Sequence, residues 1–208
     1  MSSYDSIAAV VLAAGESSRM NGRVKQLLPW GEEPLLRHAI EQTLEAGFSH
    51  VFVVLGYRAD LISPAINDLP VDVIVNDRWS EGVASSVRAA VEAFPGSIKA
   101  AIFVPSDQPG ITAELLRRMA DAYVNTGRHV IYATYGGMRG QPVLFDRSLF
   151  PELLGLQGDV GGRAVLRRHP DEAMAVEVED ELAGVDIDTW QDYVRLLREY
   201  GLPLPEEG

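Results

Sequence analysis

The chain has 208 residues, 47% of them hydrophobic, and a formal net charge of -12, which suits one soluble domain with a substantial core and disfavours non-specific binding to nucleic acid or to an anionic membrane surface. The absence of cysteine excludes disulfides, thiolate metal sites and cysteine nucleophiles. The N-terminus lacks the basic-then-apolar pattern of a secretory signal, and no apolar run approaches the roughly 20 residues that cross a bilayer, so a cytoplasmic location is expected.

In chain order, a strand is predicted over Ile7–Ala13, then a loop, then a helix whose Leu36, Ile40 and Leu44 repeat at i+4 and stop at Gly47. Strands over His50–Leu55 and 71–75 follow, then a helix carrying Val87, Val91 and Phe94, and a strand over 100–104. Thr112 can cap a helix carrying Leu115, Leu116, Met119 and Tyr123, strands are predicted over 130–133, 142–145 and Ala173–Val178, and Thr189 can cap a last helix carrying Tyr193, Leu196 and Leu197. The first four strands are near-continuously apolar, as expected of parallel strands covered on both faces. Strand-helix alternation predicts an α/β protein, a three-layer α/β/α sandwich with a mostly parallel sheet, and in such sheets ligands bind beyond the carboxyl ends of the strands. No repeat or linker divides the chain, so 1–208 reads as one domain with a frayed tail from Leu202, where two prolines and two glutamates gather.

The stretch "IAAVVLAAGESSRMNGRVK" is then the end of the first strand and the loop after it. A glycine-containing turn presents backbone N–H groups to an anion, and Arg19, Arg23 and Lys25 add the opposite charge a polyphosphate needs. A βα loop with solvated basic residues is the plainer alternative. Neither the P-loop nor the dinucleotide fingerprint is present, and the second strand ends in Leu55-Gly56-Tyr57 without an acidic residue to hold a ribose, which disfavours an NAD-linked oxidoreductase.

The residues "LAAGESSRMNGRVKQLLPWG" resemble the signature L-A-A-G-x-S-x-R-M-G-x-x-K-x-L-L-P of the MobA-like nucleotidyltransferases, most closely the branch containing molybdenum cofactor cytidylyltransferase. Later segments match in order: "NDRWSEGVASSVRAAV", "VPSDQPGITAELL", "GMRGQPVLF", "LQGDVGGRAVLRR" and "VDIDTWQDYVRLL". Three departures stand out: Asn21 is one residue extra, Ser106 replaces a glycine, and Gln141 replaces a histidine. The resemblance implies a Rossmann-like nucleotidyltransferase sheet, with a nucleotide half near 5–110 and an acceptor half near 111–200. It also implies transfer of CMP from CTP to a phosphorylated pterin, with pyrophosphate released and a molybdoenzyme as a recipient.

By the same resemblance, Leu12, Ala13, Ala14, Gly15, Ser17 and Ser18 line the nucleotide, Arg19 and Lys25 meet the triphosphate, and Gly82, Ser85 and Ser86 lie beside the base. The Ala13–Ala14 pair resembles the cytidylyl branch, whereas the guanylyl branch carries glycines there. Gly140, Gln141, Pro142, Asp159, Gly161 and Arg163 fall on the acceptor side, with Met138 and Arg139 near it unless they form an exposed hairpin tip. On spacing alone Asp107 and Asp188 are as readily turn and cap residues as ligands of a metal; the resemblance implies that both hold magnesium, with Asp186 a weaker candidate. The four histidines, His38, His50, His129 and His169, fall in positions expected to be structural or exposed. Two alternatives use the same residues: transfer to a sugar or polyol phosphate, and a carrier of nucleotide or pterin without catalysis.

Overall fold

The computed structural model describes residues 4–205. The strands are β1 (Ile7–Ala13), β2 (Pro29–Trp30), β3 (Glu33–Pro34), β4 (His50–Leu55), β5 (Asp72–Val75), β6 (Ala100–Pro105), β7 (Val130–Tyr135), β8 (Met138–Asp146) and β9 (Ala173–Val178). The helices are α1 (Leu35–Glu45), α2 (Ala59–Ile62), α3 (Val83–Ala93), α4 (Ala113–Thr126), α5 (Phe150–Leu154), α6 (Arg163–Arg168) and α7 (Trp190–Glu199). β2 and β3 form a small hairpin, and the other seven strands make one sheet in the order β5-β4-β1-β6-β8-β7-β9. β8 runs antiparallel to β6 and β7 and the remaining pairs are parallel, so the sheet is mostly parallel, as expected.

Alternation along β1 feeds two cores. Ala9, Val11 and Ala13 pack with Leu36 and Ile40 of α1 and Leu116 and Met119 of α4, while Ala8 and Val10 pack with Val87 of α3 and with Phe103 and Phe145 on the other face. The third predicted strand departs from this pattern. β5 is a sheet edge with no further strand beside it, so Val73 and Val75 are 42% and 56% exposed instead of covered. The strand expected at 142–145 is longer, because Gly136 and Gly137, both at positive φ, make a tight turn that lets Met138 pair with Tyr135.

A third, smaller cluster matters most for position. Tyr193, Leu196 and Leu197 of α7 close over Met20, Leu28, Trp30, Leu35 and Ile187. The last helix thereby presses the 186–188 segment against the loop after β1. Thr189 caps it: its hydroxyl accepts from the Asp192 N–H at 3.1 Å and the Asp192 carboxylate accepts from the Thr189 N–H at 3.0 Å. Thr189→Ala is expected to cost about 1 kcal/mol and to lower the melting temperature by about 2–4 °C, measured by thermal denaturation. Leu202, the expected start of the frayed tail, still donates its N–H to Leu197 O at 2.8 Å and packs on this cluster; 206–208 lie outside the described residues. No helix among the described residues is long and apolar enough to cross a membrane.

Candidate functional site

Strand order reverses around β1, with β4 and β5 to one side and β6 to the other, and the loops beyond the carboxyl ends of β1 and β6 carry the charged residues singled out above. The loop after β1 is held from below. Gln26 is 3% exposed and its amide donates to Ala13 O at 3.0 Å and Gly15 O at 3.1 Å. The extra residue, Asn21, closes a 3-10 turn over Ser18–Met20 in the left-handed region at φ 52°, a conformation asparagine tolerates better than most side chains. Gly22, which follows, is also at positive φ, 78°.

The loop's cations reach across to the residues held by α7. The Lys25 ammonium donates to Asp107 Oδ2 at 2.6 Å and to Ile187 O at 2.8 Å. Arg19 donates to Asp188 Oδ1 at 2.8 Å, and the Arg23 guanidinium lies 4.2 Å from the centre of the Trp190 ring. Asp186 joins the group by accepting from Gln108 Nε2 at 2.7 Å. Desolvation raises its pKa, and the charges of Asp107 and Asp188 push it the same way, against the Gln108 hydrogen bond and the charge of Arg163. Carboxylates from the loop after β6 and from the 186–188 segment thus gather with the cations of the loop after β1.

Two cavities open on either side of Leu12 and Val83, which line both. The larger, about 400 Å³, is walled by Ala14, Gly15, Ser18, Trp79, Gly82 and Ser86. The smaller, about 200 Å³, is apolar apart from Asp107 and Gln141 at its rim, with Phe103, Val143, Phe145 and Gly161 among its walls. Of the expected base-side residues, Ser85 is 0% exposed and lines neither cavity. Its hydroxyl donates to Gly82 O at 2.8 Å, and the Asn76 amide donates to Ser85 Oγ at 2.8 Å and Ser86 Oγ at 3.1 Å. Asn76, which pins the start of α3, was not singled out in the sequence.

Of the expected acceptor-side residues, Gln141 and Gly161 flank the smaller cavity with Asp107, whereas Asp159 lines the larger one. Gly140 sits against the Tyr135 ring, 2.5 Å from where a Cβ would lie, and the Tyr135 hydroxyl donates to Gln141 O at 2.6 Å. Tyr135 thus sets the position of Gln141 and the buried Pro142, another contribution not singled out in the sequence. Ala13 and Ser17 line neither cavity, and neither do Met138, 75% exposed at a hairpin tip, or Arg139. The histidines stay away as well: His38 bonds Pro109 O at 3.0 Å, and His129 and His169 pair with Glu172, His169 also with Glu152.

Among the described residues no three acidic or histidine side chains form a ready-made metal cage. Asp107 and Asp188 are hard oxygen donors, each already facing a cation. That donor set fits a divalent ion which completes its shell with phosphate oxygens and water.

The MobA-like NTP transferase domain matches residues 9–173. A protein named nicotine blue oxidoreductase, from Paenarthrobacter nicotinovorans, is 31% identical over 199 residues, covering 92% of this chain and 96% of that one. The molybdenum cofactor cytidylyltransferase of Escherichia coli K12 is 28% identical over 195 residues, covering 93% and 97%. Among solved structures, Rv0371c of Mycobacterium tuberculosis H37Rv superposes with a TM-score of 0.83 at 32% identity over 94% of this chain and 99% of that one. A structure of Rv0371c in complex with manganese gives 0.78 at 31% identity, covering 93% and 98%.

Proposed function

The chain belongs to the MobA-like NTP transferase domain family, and from that premise we propose that it transfers CMP from CTP to the phosphate of a molybdopterin-type cofactor. The observation that carries this reading is the Lys25–Asp107 pair at 2.6 Å: Lys25 belongs to the loop whose Gly15 and Ser18 wall the larger cavity, and Asp107 lines the smaller one with Gln141 and Gly161. A nucleotide in the first and an acceptor in the second would meet at that pair. The Ala13–Ala14 pair and the likeness to a cytidylyltransferase support CTP. On this reading 1–208 works as one domain, with the nucleotide half near 5–110 and the acceptor half near 111–200.

The reaction joins an acceptor phosphate oxygen to the α-phosphorus of CTP and breaks its bond to the oxygen bridging to the β-phosphorus, so that pyrophosphate leaves. The attacking oxygen is already ionised near neutral pH, and no general base is needed. The chain's task is to bring two polyanions together in line. Lys25 and Arg19 supply positive charge to the triphosphate and to the charge that develops on it. A magnesium ion would be held by Asp107 and Asp188 and would neutralise charge at the reacting phosphates; the manganese in the Rv0371c complex supports a divalent ion. Both cations must leave their carboxylate partners, Asp107 and Asp188, to reach phosphate.

The test is pyrophosphate release with magnesium and each of CTP, GTP, ATP and UTP, with and without molybdenum-loaded molybdopterin, followed by capture of the product by a molybdoenzyme lacking its cofactor. Release that needs CTP and the pterin together is expected. Lys25→Met should lower it about 100- to 1,000-fold. The relative named nicotine blue oxidoreductase makes a redox activity the rival reading. Oxidation of a reduced nicotinamide by folded protein that releases no pyrophosphate would favour it. Release with a sugar or polyol phosphate in place of the pterin would move the acceptor, and pterin binding without release would indicate a carrier.

A further inference from the structure

We infer that Asp159 selects the nucleobase, accepting a hydrogen bond from the 4-amino group of cytosine; this rests on the CTP reading above. Sequence resemblance put Asp159 with the acceptor residues, but it lines the larger cavity together with Ser18, Trp79 and Ser86. The placement is built into the backbone. Ala84 N–H donates to Gly158 O at 3.1 Å, and Gly82 is so tightly covered that a Cβ there would lie 2.4 Å from Gly158 C and 2.6 Å from Asp159 Oδ1. The 158–159 segment is therefore docked on the start of α3, with the carboxylate against Gly82, itself a wall of the cavity.

Asp159 differs from the other aspartates of the cleft in its bonding. Asp107, Asp186 and Asp188 each have a protein partner, whereas no hydrogen bond or ion pair to Asp159 is present among the described residues. An unpaired carboxylate in a cavity meant for a nucleoside triphosphate repels the ligand unless it faces a donor. The phosphates are drawn to the wall made by Gly15 and Ser18, the loop that leads into Arg19 and Lys25. What remains for the Asp159 end is the base. Cytosine presents an amine there and uracil a carbonyl oxygen, so one donates to the carboxylate while the other sets lone pair against lone pair. Glu16 also lines this cavity, but from the phosphate-loop side.

Equilibrium binding of CTP, UTP, dCTP and GTP with magnesium, to the wild type and to Asp159→Asn and Asp159→Ala, tests the assignment without any acceptor. Wild type should prefer CTP over UTP by about ten- to a hundredfold. Asp159→Asn should lose most of that preference, because its amide can donate to the uracil oxygen, and Asp159→Ala should weaken CTP while sparing UTP. Equal weakening of CTP and UTP, with the preference of CTP over dCTP lost, would make the contact one to the ribose and overturn the inference. So would an unchanged preference in both variants, or the same shift produced by Glu16→Gln instead. A wild-type preference for GTP that Asp159→Asn abolishes would overturn the cytosine assignment in favour of guanine. Failure of the wild type to bind any nucleotide would instead sink the nucleotidyl reading itself.

Discussion

Asp107→Asn is expected to cut pyrophosphate release about 100- to 1,000-fold while tightening the binding of CTP in the absence of metal. The two effects have one cause. In the wild type the Asp107 carboxylate holds the Lys25 ammonium at 2.6 Å, so the cation closest to the expected phosphate site is already neutralised. Asparagine keeps an oxygen that Lys25 can bond and gives up the charge. Lys25 then has a full positive charge to offer a triphosphate, while a divalent ion loses one of its two anionic ligands. Titration calorimetry with chelator present reads the tighter binding, and release of pyrophosphate reads the lost turnover. The fold should survive, because the backbone bonds around the position do not involve the side chain: Ser106 N–H donates to Leu12 O at 3.2 Å and Ile187 N–H donates to Asp107 O at 2.8 Å. Weaker metal-free binding would mean that Asp107 only positions Lys25. Unchanged turnover would remove Asp107 from the reaction.

What could be read from the residues in advance was local. β1, β4 and β6 announce themselves as unbroken apolar runs, Thr112 and Thr189 cap the helices they were expected to cap, and the glycine, serines and basic residues after β1 mark the loop proposed to hold phosphate because all of its parts are contiguous. β5 has the same kind of apolar run but no neighbour on one side, and a sequence does not say which strand will be the edge. The supporting residues were hidden for a related reason. Gln26, Asn76 and Tyr135 act through bonds to Ala13 O and Gly15 O, to Ser85 Oγ and Ser86 Oγ, and to Gln141 O, behind the residues that the sequence marks for direct contact. That Asp159 lines the larger cavity, apart from Gln141 and Gly161, is not legible ahead of the fold, because the docking of its segment on α3 is set by Gly82 and Gly158, about 75 residues apart on the chain. The cation–carboxylate pairs span longer distances still: Lys25 meets Asp107 because β6 lies beside β1, and Arg19 meets Asp188 because α7 carries the 186–188 segment back to the first loop.

Gly82→Ala is expected to destabilise the fold by about 3 kcal/mol, lowering the melting temperature by about 6–12 °C, and to abolish measurable nucleotide binding. Gly82 has φ 96° and ψ 176°, a region that is essentially confined to glycine. Space adds to the backbone cost. A methyl group would fall 2.4 Å from Gly158 C and 2.5 Å from Gly158 O, atoms of a main chain that cannot swing aside as a long side chain can. The 158–159 segment must retreat, breaking the bond from Ala84 N–H and carrying Asp159 away from the nucleotide cavity and Gly161 away from the other. Gly15→Ala separates packing from pocket, since a Cβ at Gly15 meets nothing within 4 Å: its stability should change by less than about 0.5 kcal/mol, and any loss of CTP affinity would report the methyl group standing where the ligand belongs. Thermal melts and nucleotide titrations of the two variants are therefore expected to diverge. If Gly82→Ala melted with the wild type, the 158–159 segment would have to be free of α3, and the placement of Asp159 at the base would fall with it.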